Sequence, residues 1–102
     1  THDNDTTLGW FSSLSPAERK AVQCYLGHES SDICWDLIKL AAASVADMAI
    51  FPLQDVLRLG SEARMNIPGI AEGNWEWRFR REMLTPSLAQ ALRHLTATYG
   101  RT

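Results

Sequence analysis

Apolar residues recur at three- and four-residue intervals in three stretches of the chain, and residues that start or stop helices bracket each stretch. Ser15-Pro16-Ala17-Glu18 has the capping-box pattern. Ser15 can accept from the backbone N–H of Glu18, Glu18 can reach back, and Pro16 stands where a missing N–H costs nothing. Ala17, Ala21, Val22, Tyr25 and Leu26 then fall on one face opposite Arg19, Lys20 and Gln23, and Gly27 can take the left-handed conformation that closes the helix. A second helix is predicted from a cap at Ser30 or Ser31 to about Ser44, with Asp32 in its first turn and Cys34, Leu37, Ile38, Ala41, Ala42 and Val45 facing inward. Trp35 on this helix reads as core. A third begins at Thr85-Pro86, carries Leu88, Ala91, Leu92, Leu95 and Tyr99 as its apolar stripe, and ends at Gly100. His94 flanks that stripe as a boundary residue.

Between the helices the pattern changes. Asp47-Met48-Ala49-Ile50-Phe51 is short, apolar and stopped by Pro52, which predicts a buried strand. From Gly60 to Trp77 glycines, Pro68, Asn66 and Asn74 predict a long structured loop in which only Ser61 to Met65 is helix-like. Trp75, Trp77 and Phe79 alternate with Glu76 and Arg78, so the three rings share one face of an extended segment, and burial is favoured over sugar stacking. Leu8, Trp10 and Phe11 form a short apolar turn or helix directed at the core. Arg78-Phe79-Arg80-Arg81 reads as a solvated basic edge.

Composition narrows the classes. With 102 residues and 45% hydrophobic content the chain has room for one folded domain. Ten basic against twelve acidic residues, a net charge of -2, provide no footprint for nucleic acid or an anionic membrane. No apolar run is long enough to span a bilayer, and the polar start is not a secretory signal. Asn4-Asp5-Thr6 is therefore an accidental match to a glycosylation acceptor. Cys24 and Cys34 read as small buried apolar residues in a reducing, cytoplasmic setting. Cys24 and His28 are four apart, but Gly27 ends the helix between them and no second pair follows, so no metal is expected. The absence of an initiator methionine fits a piece of a longer protein.

The densest chemistry lies in Thr1-His2-Asp3-Asn4-Asp5, where a histidine, two carboxylates and an amide stand together without an apolar residue. Such a set suits carbohydrate, whose hydroxyls need paired donors and acceptors and whose apolar faces stack on rings. Asp3 and Asp5 could form the two-carboxylate pair of a retaining glycosidase, although neighbours on one loop rarely flank a sugar ring.

With Thr6-Thr7-Leu8-Gly9-Trp10-Phe11, Pro52-Leu53-Gln54-Asp55-Val56-Leu57, Gly60-Ser61-Glu62-Ala63-Arg64-Met65-Asn66-Ile67-Pro68-Gly69 and Gly73-Asn74-Trp75-Glu76-Trp77-Arg78, this run closely resembles the C-terminal part of the 4-α-glucanotransferases. These enzymes, glycoside hydrolase family 77, are also called amylomaltases or disproportionating enzymes. The resemblance extends from residue 1 to about residue 100. It implies an α/β fold in which residues 1–102 are a C-terminal, mostly helical piece of a catalytic (β/α)8 barrel with one or two short strands. The strand near Ile50 would be the eighth, and the His2-Asp3 loop would follow the seventh. It further implies transfer of an α-1,4-glucan segment to the 4-hydroxyl of a glucan or glucose acceptor, with no metal or cofactor. The nucleophile and acid/base would lie upstream, leaving the isolated chain inactive. Asp3 would be the carboxylate that stabilises the transition state and His2 a contact to the same sugar; Asn66, with Gln54 and Asp55, would complete the substrate-binding set. Maltooligosaccharides and starch- or glycogen-type glucans are the implied partners, and the isolated chain is expected to self-associate over surfaces shaped for absent neighbours. Two other classes compete on periodicity alone: a small helical interaction module, and a carbohydrate-binding module without catalysis. The helical module has no need of the first five residues or of the Gly60 to Trp77 loop, whereas the carbohydrate-binding module describes the most that the isolated chain is expected to do.

Overall fold

The computed structural model describes residues 2–101, and within them the chain is helical, with no strand. In order it forms α1 (Thr7–Ser13), α2 (Pro16–Leu26), α3 (Ile33–Ala43), the single turn α4 (Leu53–Val56), 3-10 turns at Ser61–Ala63 and Arg81–Met83, and α5 (Pro86–Thr98).

Local caps account for most helix ends. Thr6 caps α1, its hydroxyl accepting from Gly9 N at 3.1 Å. The box at Ser15 closes as expected: Ser15 Oγ accepts from Glu18 N at 3.2 Å, and Ser15 N donates to Glu18 Oε1 at 2.9 Å. Gly27 ends α2 at φ +83°, a conformation a Cβ would disfavour. Thr85 caps α5 by accepting from Leu88 N at 3.1 Å. At α3 the expectation shifts by one or two residues. Asp32, not Ser30 or Ser31, is the cap, accepting from Trp35 N, while the Ser30 hydroxyl is turned onto Asp36.

The core is organised around α3. Ile33, Cys34, Trp35, Ile38 and Ala42 are buried on it, joined by Val56 from α4 and Leu95 from α5, with Leu8 and Phe11 of α1 packed against the set. Five buried positions in eleven leave α3 little solvent face, so it needs cover from several sides, which α1, α4 and α5 supply. Trp35 is core, as expected, and its indole N–H donates to Val56 O at 3.1 Å. Arg58, at φ +60°, lies over the Trp35 ring at 5.1 Å and donates to Asp32 at 2.9 Å, tying the start of α3 to the chain beyond α4.

Several inward positions are corrected. On α2 only Val22 and Leu26 meet the core; Ala17, Ala21 and Tyr25 face water. Cys34 is buried but Cys24 is exposed, and both are free thiols. Trp10 is exposed, Val45 lies past the α3 cap in solvent, and Tyr99 caps α5 at the surface.

The expected strand at Asp47 to Phe51 does not form. A strand needs a neighbour to satisfy its N–H and C=O groups, and no described segment pairs with it. Met48 and Ile50 are exposed, and only Ala49 and Phe51 are half-buried. The turn leading into it is held instead by Arg101, whose guanidinium donates to the carbonyls of Ala42 at 2.7 Å, Ala46 at 2.8 Å, Ser44 at 3.2 Å and Asp47 at 3.5 Å. Among the described residues no helix is long and apolar enough to cross a membrane.

Candidate functional site

The first residues are fastened to the body by contacts distant in sequence. The buried Asp55 carboxylate on α4 accepts from Thr7 N at 2.9 Å and from Thr7 Oγ1 at 2.7 Å, fixing the first residue of α1 by backbone and side chain together. Asp5 accepts from Thr6 N at 2.7 Å through one oxygen and from Ser61 Oγ at 2.8 Å through the other. These two regions approach so closely that a side chain at Gly9 would have to displace those of Ser61 and Asp5. A Cβ there would overlap Ser61 Oγ and lie 2.7 Å from both Asp5 oxygens. Gln54 donates to Ala63 O at 3.2 Å, bracing the turn that leads to Asn66.

These fastenings bring His2, Asp3 and Asn66 together. Asn66 Nδ2 donates to Asp3 Oδ1 at 2.6 Å, and His2 Nε2 lies 3.3 Å from the same oxygen. Arg64 supports both loops, donating to Asp3 O at 2.7 Å and to Asn66 O at 2.9 Å. Asp3 Oδ2 has no hydrogen-bond partner among the described residues, and the side chains of His2 and Asp3 remain 58% and 54% exposed. An ionised carboxylate held on one oxygen and open on the other can accept a ligand hydroxyl strongly, or face a developing positive charge.

An aromatic ring completes the cluster. Trp75 sits 5.1 Å from the His2 ring, centroid to centroid, and is 49% exposed. Its expected burial is thus overturned. Trp75 takes φ +62°, breaking the extended alternation that would have buried it, and its N–H donates to Met65 O at 2.6 Å. Phe79 is exposed too, while Trp77 is half-buried. Asn74 braces the loop beneath, accepting from Ile67 N at 2.9 Å and donating to Ile70 O at 2.8 Å. Beside the cluster lies a cleft of about 520 Å³, walled by His2, Asn4, Gln54, Arg64 and Met65, with the exposed Ile50 at its rim.

Of the five expected site residues, His2, Asp3 and Asn66 form the cluster. Gln54 and Asp55 line the adjoining cleft without joining the cluster, with the Gln54 amide directed at Ala63 O and each Asp55 oxygen accepting from Thr7. Asp5 is likewise engaged on both oxygens, which leaves no free carboxylate for an Asp3–Asp5 catalytic pair. Sequence reasoning missed Arg64, Trp75 and Thr7. Arg64 stood in the same Arg-Met-Asn run as Asn66, but nothing local announces the left-handed residue at Trp75.

A helical body here presents a carboxylate, an imidazole, an amide and an exposed indole on one side. Comparison with known families identifies its class: the 4-alpha-glucanotransferase family model matches residues 1–85, and the chain belongs to that family. It is 52% identical over 102 residues to the 4-alpha-glucanotransferase of Synechocystis, covering 99% of this chain and 20% of that protein. The Thermus thermophilus enzyme of the same name is 46% identical, covering 91% of this chain and 20% of its own length. The chloroplastic/amyloplastic enzyme of Solanum tuberosum is 48% identical, covering 99% and 18%. Among solved structures, the amylomaltase of Streptococcus agalactiae in complex with acarbose superposes with a TM-score of 0.92 at 32% identity, over 99% of this chain and 21% of that one. The chain thus spans about a fifth of the length of the relatives it matches.

Proposed function

We propose that the full-length protein is a 4-α-glucanotransferase, and that this chain supplies the C-terminal part of its catalytic (β/α)8 domain. The observation that carries the reading is the Asp3 carboxylate, held on one oxygen by Asn66 with His2 Nε2 3.3 Å away, open on the other, and next to a histidine that packs on Trp75. The enzyme moves a segment of an α-1,4-glucan to the 4-hydroxyl of an acceptor glucan or glucose with retention at the anomeric carbon. Maltooligosaccharides and starch- or glycogen-type glucans are its substrates.

Retention requires a nucleophilic carboxylate and an acid/base flanking the anomeric carbon. With Asp5 and Asp55 engaged, both are assigned to residues outside this chain. Asp3 binds hydroxyls of the sugar next to the broken bond. Because those hydrogen bonds strengthen as the ring flattens toward an oxocarbenium ion, the contact raises turnover more than it tightens ground-state binding. His2 and Asn66 hold the Asp3 oxygen and contact the same sugar, and Trp75 offers a ring to its apolar face. The exposed Val45, Met48 and Ile50 support self-association of the isolated chain. The cytoplasm is the assigned compartment for a protein outside plants, whose own relatives carry chloroplastic or amyloplastic names.

The test is Asp3→Asn in the full-length enzyme assayed with maltotriose. Turnover falls by at least about 10²-fold while KM changes little, and His2→Ala is milder. Unchanged turnover in Asp3→Asn, or formation of maltose and maltotetraose by the isolated chain, would refute this assignment of roles.

A further inference from the structure

Gln54 and Asp55 are adjacent on one helical turn, yet their side chains hold the two different halves of the Asp3 cluster. Asp55 takes both donors of Thr7, four residues beyond Asp3, while Gln54 donates to Ala63 O, three residues before Asn66. Asp55 is 9% exposed with both oxygens filled, so it acts through Thr7. A carboxylate that accepts from the backbone N–H and the hydroxyl of one residue fixes its backbone and its rotamer at once. It also places negative charge at the N-terminus of α1, where the helix dipole favours it. The Asp3–Asn66 bond, by contrast, joins two exposed loops, and its 2.6 Å length depends on how far apart their roots are held.

We propose that Gln54 and Asp55 form a double clamp, a pair of positioning residues that sets the separation of the Asp3 and Asn66 loops and thereby aims the open oxygen of Asp3 at the sugar. This inference rests on the Asp3 reading above. Misplacement of a reacting group by about 1 Å costs on the order of 10²-fold in rate, so a clamp at the roots of the two loops has leverage through Asp3.

The experiment uses the full-length enzyme and maltotriose. Thr7→Val keeps the side-chain shape and removes the hydroxyl donor; Thr7→Ser restores it; Gln54→Met keeps the length and removes the amide. Thr7→Val and Gln54→Met are each expected to lower kcat about 10- to 100-fold with KM within about threefold of the parent, and Thr7→Ser to recover most of the loss. In an Asp3→Asn background the same substitutions cause no further loss, because no carboxylate remains to be aimed. Equal losses in the two backgrounds, or a lowered Tm with kcat per folded enzyme unchanged, would overturn the clamp. If Thr7→Val does not fold, Gln54→Met, at a half-buried residue, carries the same cycle. A silent Asp3→Asn beside an impaired Thr7→Val would sink both the Asp3 reading and a clamp acting through it. An impaired Asp3→Asn beside silent Thr7→Val and Gln54→Met would sink the clamp alone.

Discussion

Gly9→Ala sets two effects of known sign against each other. Gly9 lies inside α1, where alanine is favoured over glycine by about 1 kcal/mol. Against this, the new methyl group would overlap Ser61 Oγ and press on both Asp5 oxygens at 2.7 Å. Relief requires the Ser61–Asp5 bond to open. A hydrogen bond to a carboxylate contributes about 1.5 kcal/mol or somewhat less where it is solvent-exposed, as here. Loss of the bond therefore slightly outweighs propensity, and Gly9→Ala should destabilise the chain by about 0.5 kcal/mol. Urea unfolding followed by tryptophan fluorescence reads this directly, since Trp35 is buried. Ser61→Ala alone should cost only the hydrogen bond, about 1 kcal/mol. The double variant should be less destabilised than the two single effects together, because the bond is lost once and the overlapping oxygen is gone. A Gly9→Ala chain more stable than the parent by the full propensity gain of about 1 kcal/mol would refute the close approach of α1 to the Ser61 turn.

The Ser15 box predicts that Ser15→Ala costs about 1 kcal/mol in thermal or chemical unfolding, and an unchanged midpoint would remove Ser15 as the cap. The Ser15 N–H, and then its hydroxyl, hold the Glu18 carboxyl below its ordinary 4.5. Its contribution is thus present above pH 4.5 and fades as pH falls through the lower folded value, so the gap between parent and Glu18→Gln should narrow in acid. Burial, then the charges of Asp55 and Asp32, push the Cys34 thiol above 9.0. The folded chain there holds a proton that the unfolded chain releases, so stability should decline as pH rises past 9.0. A thiol reagent should find one reactive group, Cys24, in the native chain and a second only on unfolding; two fast thiols would contradict the burial of Cys34.

What could be read before the structure was what is local. The Ser15 and Thr85 caps, the Gly27 stop and the apolar stripe of α3 as far as Ala42 each depend on residues within one or two turns, and all formed. The strand at Asp47 to Phe51 failed because pairing is a property of two segments, and the apolar run describes only one. Trp75 was assigned to the interior by alternation, but a single left-handed residue turns it out beside His2. At the site, residue types marked His2, Asp3 and Asn66. They could not separate these from Asp55, which carries the same carboxylate as Asp3 yet is consumed by Thr7. Burial and partners, not chemistry, distinguish the two aspartates.

The contacts that fasten the N-terminal loop are nested, and nesting implies an order of formation. Thr7 pairs with Asp55, Asp5 with Ser61 and Asp3 with Asn66, at separations of 48, 56 and 63 residues, each pair enclosing the one before. Closing the innermost loop incurs nearly all the chain entropy, which grows only slowly with length, and each later pair then joins ends already held a few residues away. The three contacts should therefore zip outward from Thr7 and fray inward from Asp3. The Asp3–Asn66 bond should then be the first of the three to open, on a root that the inner pairs still hold.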